Sequence, residues 1–258
     1  MAATSSLLDL FRLDGLVAVV TGSGRGIGRG VALGLAQAGA DVVVTARRTD
    51  EIDAVVAEVE AEGRRALGVA GDITDAEFVR SLVTRTVDEL GRLDVWVSNA
   101  GGSEHKGTYR ITEMPDEHWD AQLALNLRPH FVAAKACAEV MGPGSSLLGI
   151  SSTSALGPSP RFAAYGAAKA GMQQLTQTLA IELAPKGIRA NALAVGIVPT
   201  ESLRTIGGIQ DDSLPELAKS VPLGRLGDPS DIGAAAVYLA SPAASWVTGQ
   251  TLAVSGGR

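Results

Sequence analysis

Residues 17–28 read Val-Ala-Val-Val-Thr-Gly-Ser-Gly-Arg-Gly-Ile-Gly, an apolar run that leads directly into a glycine-rich turn. A helical pattern continues from there to residue 38, and a second apolar run follows it. Strand, glycine-rich turn and helix in this order are typical of a loop that binds a dinucleotide, because the helix N-terminus then faces the anionic pyrophosphate. This stretch therefore predicts an α/β domain with a dinucleotide at the start of its first helix.

Three glycines give this turn its expected geometry. Gly22 makes the tight turn, Gly26 lets the backbone approach the pyrophosphate, and Gly28 lets the helix pack closely against the strand. We therefore expect the complete loop to line the cofactor site, with contacts from Gly22, Ser23, Gly24, Arg25, Gly26, Ile27 and Gly28.

The rest of the chain alternates between short apolar runs and helical patterns. Strands are predicted at 17–20, 42–45, 66–70, 93–98, 147–151, 189–195 and 251–255. Helices are predicted at 28–38, 51–62, 75–90, 118–141, 165–184 and 229–240. Short buried strands that alternate with helices indicate a parallel sheet covered on both faces. We predict one α/β domain over residues 1–258, a doubly wound parallel sheet of about seven strands with helices on both faces.

The least regular stretch lies at residues 200–222, where Gly207-Gly208, Asp211-Asp212 and Pro215 interrupt any pattern. A long and weakly patterned stretch in a compact domain is more often functional than decorative. We expect a mobile lid over the substrate, the alternative being an ordinary surface excursion.

Composition excludes several classes of protein. A net charge of -6 argues against a broad surface for nucleic acid or for an anionic membrane. The single cysteine, Cys137, allows no internal disulfide and fits a reducing cytosol. Three histidines and one cysteine, widely separated, argue against a zinc site. We expect a cytoplasmic protein without metal, signal peptide or membrane span, whose partner is a small molecule.

Tyr165 and Lys169 stand at positions i and i+4 of a predicted helix, and Ser152 directly follows the predicted strand before it. Residues at this helical spacing lie on one face, so the lysine cation can sit beside the phenol. A nearby cation favours the phenolate and lowers a pKa that is about 10 in the free side chain. A hydroxyl from Ser152 could bond the same substrate oxygen. The set predicts proton transfer to or from an alcohol oxygen.

With the glycine loop and these three residues in place, the chain resembles the short-chain dehydrogenase/reductase family over essentially its whole length. The resemblance implies a Rossmann fold and a fourth catalytic residue, Asn126, in Ala124-Leu125-Asn126-Leu127. It also implies that Asp72 bonds the adenine ring and that Asn99-Ala100-Gly101 packs under the cofactor. Val195 replaces the usual proline before Gly196. The further cofactor contacts implied are Asp72, Ile73, Asn99, Ala100, Gly101, Tyr165, Lys169, Gly196, Val198 and Thr200.

The resemblance also implies a division of labour in which the cofactor carries the hydride and the protein handles the proton. In the reduction direction Tyr165 would donate the proton, and Ser152 would stabilise the developing alkoxide. Lys169 would lower the pKa of Tyr165 and bind the nicotinamide ribose, while Asn126 would connect Lys169 through water to solvent. Ser151 should point to the opposite side of its strand, so Ser152 is the predicted catalytic serine.

The end of the second predicted strand bears on the choice of cofactor. Relatives that use the unphosphorylated form typically have an acidic residue where this chain has Ala46. Arg47, Arg48 and Arg25 could instead bond a 2′-phosphate. We predict NADP(H) over NAD(H); the alternative is that Arg47 and Arg48 are solvated loop charges.

The substrate is the least determined feature. The expected cavity, bounded by 102–108, 153–161, Gly196 and the lid, has a largely apolar lining, which favours a ketone or secondary alcohol on an apolar body. Residues 241–250, 254–257 and 11–15, together with the doubled glycine Gly101-Gly102, resemble bacterial 7α-hydroxysteroid dehydrogenases. A 3-oxoacyl thioester (acyl carrier protein) reductase is the alternative, with a basic surface from Arg128, Arg161 and Arg204. A non-catalytic cofactor-sensing protein is a remote third possibility.

Assembly follows from the resemblance alone. In this family the long helices predicted at 118–141 and 165–184 commonly form a subunit interface, and the last strand supports a second one. A homotetramer is therefore the expectation.

Overall fold

The computed structural model describes residues 6–102, 108–201, 203 and 211–257. Seven strands form one parallel sheet, as predicted. They are β1 (Val17–Thr21), β2 (Asp41–Ala46), β3 (Ala66–Ala70), β4 (Val95–Ser98), β5 (Ser146–Ser152), β6 (Arg189–Val195) and β7 (Thr251–Val254).

Helices cover both faces of this sheet. They are α1 (Gly26–Gln37), α2 (Thr49–Ala61), α3 (Ala76–Leu90), α4 (Asp116–Asn126), α5 (Arg128–Val140), α6 (Ala163–Leu183), α7 (Leu214–Lys219) and α8 (Pro229–Ala240). Within the described ranges, none of them is both long and apolar enough to cross a membrane.

The strand order β3-β2-β1-β4-β5-β6-β7 places the reversal of the chain between β1 and β4. The chain winds outward from β1 to β3, then crosses back to β4 on the other side of β1. Ligands of open parallel sheets bind beyond the carboxyl ends of the strands at such a reversal. The fold therefore directs attention to the ends of β1, β4 and β5.

The alternation of side chains along each strand divides the apolar core into two layers. Ala18 and Val20 of β1 belong to a cluster with buried residues of α1, α2 and α8. Val19, between them, belongs to a second cluster with α3, α5 and α6. Because both faces are covered, the central strands read as continuous apolar runs rather than as alternating ones.

The prediction of one helix over residues 118–141 is wrong. The structure has α4 and α5, and Leu127 between them is non-helical, with φ −122° and ψ −54°. Pro129 explains the break, since proline offers no N–H and its ring clashes with the carbonyl four residues earlier. The break leaves Asn126 as the last residue of α4.

The predicted lid is only partly described. Residues 202 and 204–210 lie outside the described residues. Asp211–Ser213 forms a 3-10 turn that continues into α7, so the second half of the stretch is more regular than its sequence suggests.

Candidate active site

Hydrogen bonds from Thr21 and Asn99 join the ends of β1 and β4. The Thr21 hydroxyl accepts from the N–H groups of Asn99 and Ala100, both at 3.0 Å, and donates to the carbonyl of Val97. The Asn99 amide donates to the carbonyls of Thr21 and Gly22 at 2.8 and 3.1 Å. Asn99 and Ala100 therefore hold the start of the glycine loop in place.

Two glycines of the loop stand where the backbone leaves no room for a Cβ atom. Gly22 has a φ of +64°, and a Cβ there would lie 2.9 Å from the Cα of Ala100. A Cβ on Gly28 would overlap the carbonyl oxygen of Gly22. The loop and the first turn of α1 can approach each other this closely only without side chains.

The N-terminus of α1 has no cap from a side chain. The helix begins at Gly26, and Arg25 precedes it in extended conformation without a capping hydrogen bond. The first N–H groups of a helix have no partner within the helix, so the turn containing Ile27 presents donors that suit an anion.

Ser23 anchors the glycine loop through its side chain. Its side chain is fully buried and donates to the carbonyl of Val20 at 2.6 Å. It also accepts from the N–H of Thr45 at 3.0 Å. Its hydroxyl therefore ties the loop to β1 and β2, and the predicted contact of Ser23 with the cofactor remains a prediction.

Ser152, Tyr165 and Lys169 meet at the carboxyl end of β5. The Lys169 ammonium is buried, donates to the carbonyl of Ile150 at 2.8 Å and lies 5.8 Å from the centre of the Tyr165 ring. The Ser152 hydroxyl lies close enough to the Tyr165 phenol to favour its ionised form and so to lower its pKa. Ser151 turns away and bonds the backbone carbonyl of Lys169, as the alternation of the strand predicts.

The electrostatics of this corner differ from the expectation. Burial raises the pKa of Tyr165, and the neighbouring Ser152 hydroxyl only partly opposes this rise. Burial lowers the pKa of Lys169 to about 8. The predicted lowering of the Tyr165 pKa by Lys169 is not seen in this structure, where burial of the phenol raises the pKa and only Ser152 opposes the rise.

Asn126 is buried and fully engaged. Its carbonyl oxygen accepts from the N–H of Gly102 at 2.9 Å, and its amide donates to the Gly102 carbonyl and to Gln122. A Cβ on Gly101 would lie 2.6 Å from Asn126 Oδ1 and 3.2 Å from Lys169 Nζ. The backbone of Gly101 thus lies between Asn126 and Lys169.

The expected adenosine end is dominated by ion pairs. Arg25 contacts Glu201 at 2.5 Å and Glu51 at 3.5 Å. Arg48 contacts Asp50 at 2.7 Å and Glu51 at 3.3 Å, so both arginines, predicted to bond a 2′-phosphate, have carboxylate partners in this structure.

Asp72 and Ile73, also expected at the adenosine end, directly follow β3. Asp72 accepts from the N–H and the hydroxyl of Thr74, both at 2.8 Å. These bonds lower its pKa, and the charge of Arg47 lowers it further. Ile73 is half-buried and lines a small cavity together with Ala100 and Asn126.

The segment after β6 begins the predicted lid and crosses the glycine loop. Gly196 donates to the carbonyl of Val254 at 3.0 Å, and Val198 is buried. The methyl group of Thr200 lies 3.1 Å from where a Cβ of Gly26 would stand. Val195, in the usual place of proline, simply continues β6 and pairs with Ser152 and Val254.

Several predicted substrate contacts fall outside the described residues, among them 103–107 and Arg204. Of the rest, Leu156 is exposed, while Phe162 and Ile197 are half-buried. Arg128 donates to the carbonyl of Thr74 at 3.3 Å.

Sequence reasoning missed three residues that hold the site. Thr21 carries the bonds between β1 and β4. Gln122 accepts from Asn126 across one helical turn. Gly166 lets α6 approach the turn after β5, since a Cβ there would lie 3.0 Å from the carbonyl of Ser154. The i, i+4 spacing of Gln122 and Asn126 is the signal that could have found one of them.

Comparison with known proteins now identifies the family. The family model described as enoyl-(acyl carrier protein) reductase matches residues 22–258. An oxidoreductase of Mycobacterium tuberculosis is 43% identical over 254 residues, covering 97% of this chain and 95% of that protein. The 7α-hydroxysteroid dehydrogenase of Escherichia coli K12 is 36% identical over 251 residues, 96% of each chain. The chain is a short-chain dehydrogenase/reductase.

Other members of the family agree in sequence and in structure. The 3-oxoacyl-(acyl carrier protein) reductase of Synechocystis is 37% identical, covering 95% of this chain and 97% of that protein. A solved 7α-hydroxysteroid dehydrogenase, complexed with NADH and 7-oxo glycochenodeoxycholic acid, has a TM-score of 0.90 at 36% identity and covers 97% of this chain and 96% of its own. A short-chain dehydrogenase of Burkholderia cenocepacia, in complex with NADP, has a TM-score of 0.87 at 32% identity, with coverages of 95% and 98%.

Membership confirms the predicted family, fold and enzyme class. This short-chain dehydrogenase/reductase is an oxidoreductase of alcohols and ketones, from a family that uses NAD(P). Its relatives differ in the substrates and in the cofactors that they bind.

Proposed function

We propose that this protein interconverts a ketone and a secondary alcohol on a fairly apolar substrate, with NADP(H) preferred over NAD(H). The observation that carries the reaction is the meeting of Ser152, Tyr165 and Lys169 at the carboxyl end of β5.

The site fits a dinucleotide. Gly22 and Gly28 keep the loop free of side chains, and the N-terminus of α1 has no side-chain cap, so its N–H groups can receive a pyrophosphate. Asn99, Ala100, Gly101 and the segment from Gly196 to Thr200 would hold the nicotinamide half, and Asp72 and Ile73 the adenine. When bound, the cofactor supplies the hydride chemistry.

The protein's own residues would manage the proton. Tyr165, whose raised pKa keeps it protonated at neutral pH, donates to the developing alkoxide in the reduction direction. Ser152 stabilises that oxygen through its hydroxyl. Lys169 would position the ribose, and a water held by Asn126 would connect Lys169 to solvent, from which the proton is restored. Oxidation reverses each step.

The preference for NADP(H) rests on the arginines at the end of β2. Arg47 acts electrostatically on Asp72, which places positive charge at the adenosine end. Ala46 leaves β2 itself without a carboxylate. Arg47→Asp should invert the preference, and equal dissociation constants of the wild-type protein for the two cofactors would refute it.

The substrate is tested by the initial rate of NADPH oxidation with a 7-oxo steroid set against an acetoacetyl thioester. The likeness to 7α-hydroxysteroid dehydrogenases favours the steroid. Turnover of the steroid alone would support a rigid apolar substrate. Turnover of the thioester alone would overturn it and favour acyl reduction.

A 3-oxoacyl thioester reductase is the second candidate. The Synechocystis relative has that activity in its name, and Arg128 and Arg161 provide exposed positive charge for an acidic carrier protein. Tyr165→Phe separates both candidates from a non-catalytic cofactor sensor. An enzyme would lose turnover, whereas a sensor would keep its response to a partner.

We further propose one domain with a lid at residues 200–222, a cytoplasmic location and a homotetramer. Exposed apolar side chains support the tetramer: Phe131 and Val140 on α5, Ile181 on α6, and Leu252 on the edge strand β7. Light scattering coupled to size exclusion should give a mass four times that of the chain, and a monomer at micromolar concentration would refute the tetramer.

A further inference from the structure

Glu51, in the first turn of α2, brings a carboxylate to the end of β2. A Cβ on Gly24 would lie 2.8 Å from the Cβ of Glu51 and 3.1 Å from its Oε2, and 3.2 Å from the Cβ of Ala46. The side chain of Glu51 is only 18% exposed, whereas that of its neighbour Asp50 is 70% exposed. The carboxylate that β2 lacks at Ala46 is therefore supplied from the next helix.

This carboxylate is shared between two arginines. Its Oε1 lies 3.5 Å from Arg25 and 3.3 Å from Arg48. Glu201, at the start of the predicted lid, takes a second position on Arg25 at 2.5 Å. A 2′-phosphate that approached Arg25 would have to replace or adjoin these two carboxylates, and like charges at such distances repel.

We propose that Glu51 is the specificity-determining carboxylate at the adenosine end: it accepts a hydrogen bond from an unphosphorylated ribose and opposes a 2′-phosphate. The inference rests on the proposed binding of a nicotinamide dinucleotide at the glycine loop. If Glu51 has this role, the preference for NADP(H) is weaker than Arg25, Arg47 and Arg48 alone would produce. NAD(H) is then also accepted.

Geometry separates Glu51 from the other acids nearby. Asp50 stands one position earlier in the same helical turn and bonds Arg48 at 2.7 Å, but its side chain faces solvent. The two residues carry the same charge at the same helix N-terminus. Asp50 is thus a matched control for the loss of a charge and for the loss of a favourable interaction with the helix dipole.

The experiment is calorimetric titration of the full chain with adenosine 2′,5′-bisphosphate and with 5′-AMP, which need no turnover. Glu51→Gln should lower the dissociation constant for the bisphosphate about tenfold or more relative to that for 5′-AMP. Asp50→Asn should change the ratio less than about threefold, in keeping with an exposed and screened charge. Glu51→Asp, which keeps the charge, should stay near the wild-type ratio.

Equal shifts in Glu51→Gln and Asp50→Asn would overturn the proposal, and so would no shift in either variant. Thermal unfolding of each variant shows that it is folded; if Glu51→Gln is not, the Glu51→Ser variant takes its place. The wild-type ratio by itself tests the NADP(H) preference. A wild type without preference therefore refutes that part of the proposed function, while the shift on Glu51→Gln still decides the role of Glu51.

Discussion

The two ends of the proposed cofactor site are built from different interactions. At the catalytic end, Lys169 and Asn126 are buried, and each bonds the backbone of a neighbouring segment. At the adenosine end, Arg25 and Arg48 make ion pairs on side chains that are about half exposed. Buried hydrogen bonds fix geometry, whereas exposed ion pairs contribute about 0–1 kcal/mol each and are screened by salt. Changes at the first end should therefore affect turnover, and changes at the second should affect only the choice of cofactor.

Removing the phenol should have the largest effect. Tyr165→Phe takes away the proton donor but keeps the ring, so kcat should fall by about 10²–10⁴-fold while cofactor affinity stays within about threefold. Steady-state kinetics and a fluorescence titration with NADPH measure the two quantities. Tyr238→Phe, on the remote helix α8, is the control and should leave both unchanged. Retention of turnover by Tyr165→Phe would remove Tyr165 from the mechanism.

The buried side chain of His130, near the catalytic end, should make the stability of the protein depend on pH. His130 lines a small cavity with Asn126, and its ring nitrogens bond Ser98 at 2.9 Å and Thr176 at 3.2 Å. Burial, helped by the charge of Lys169, lowers the pKa of His130 from 6.5 to about 4. Between these values the unfolded chain binds the proton and the native protein does not, so the free energy of unfolding falls as pH decreases through this window.

The loss attributable to His130 should reach about 3 kcal/mol near pH 4. Urea unfolding of the wild type and of His130→Gln at pH 7.0 and 4.5 gives the free energy of unfolding that each protein loses between the two pH values. The variant should lose less stability than the wild type over this interval. Parallel losses would show that the ring does not stay neutral in the native protein.

The glycine loop connects the two ends, and Gly28→Ala tests how tightly it is packed. Helix propensity alone would favour alanine by about 1 kcal/mol. The overlap of the new methyl group with the Gly22 carbonyl and the Asn99 amide should outweigh this gain, for a net destabilisation of about 1–3 kcal/mol and weaker binding of either cofactor. Gly142→Ala, where a Cβ meets nothing within 4 Å, should be nearly neutral. Thermal unfolding and cofactor titration of both variants measure the contrast.

Most of the sheet could be predicted because both of its faces are covered. A strand such as Val42-Val43-Val44 is apolar at every position, so its sequence reads as a buried strand without knowledge of its neighbours. The tight packing of Gly28 could also be predicted, since its spacing from Gly22 is a local property of the turn.

What could not be predicted depends on contacts between distant segments. Glu51 and Glu201 reach Arg25 from the start of α2 and from the segment after β6, and no spacing in the sequence joins all three. The raised pKa of Tyr165 follows from how many groups surround the phenol, which the i, i+4 spacing with Lys169 does not reveal. The break at Leu127 was foreseeable from Pro129, but the helical pattern on both sides of it obscured the signal.

The smallest expected effect is that of salt on the choice of cofactor. Exposed charges are screened beyond about 10 Å at 0.1 M ionic strength and beyond about 3 Å at 1 M. If the 2′-phosphate binds beside the exposed Arg25 and Arg47 as proposed, raising sodium chloride from about 0.05 to 0.5 M should weaken the binding of NADP(H) by a few-fold. Binding of NAD(H) should change much less, since both cofactors share the pyrophosphate site at the N-terminus of α1. Dissociation constants from fluorescence titration at the two salt concentrations give the comparison. An equal weakening of both cofactors would mean that the arginines of the adenosine end do not face the phosphate.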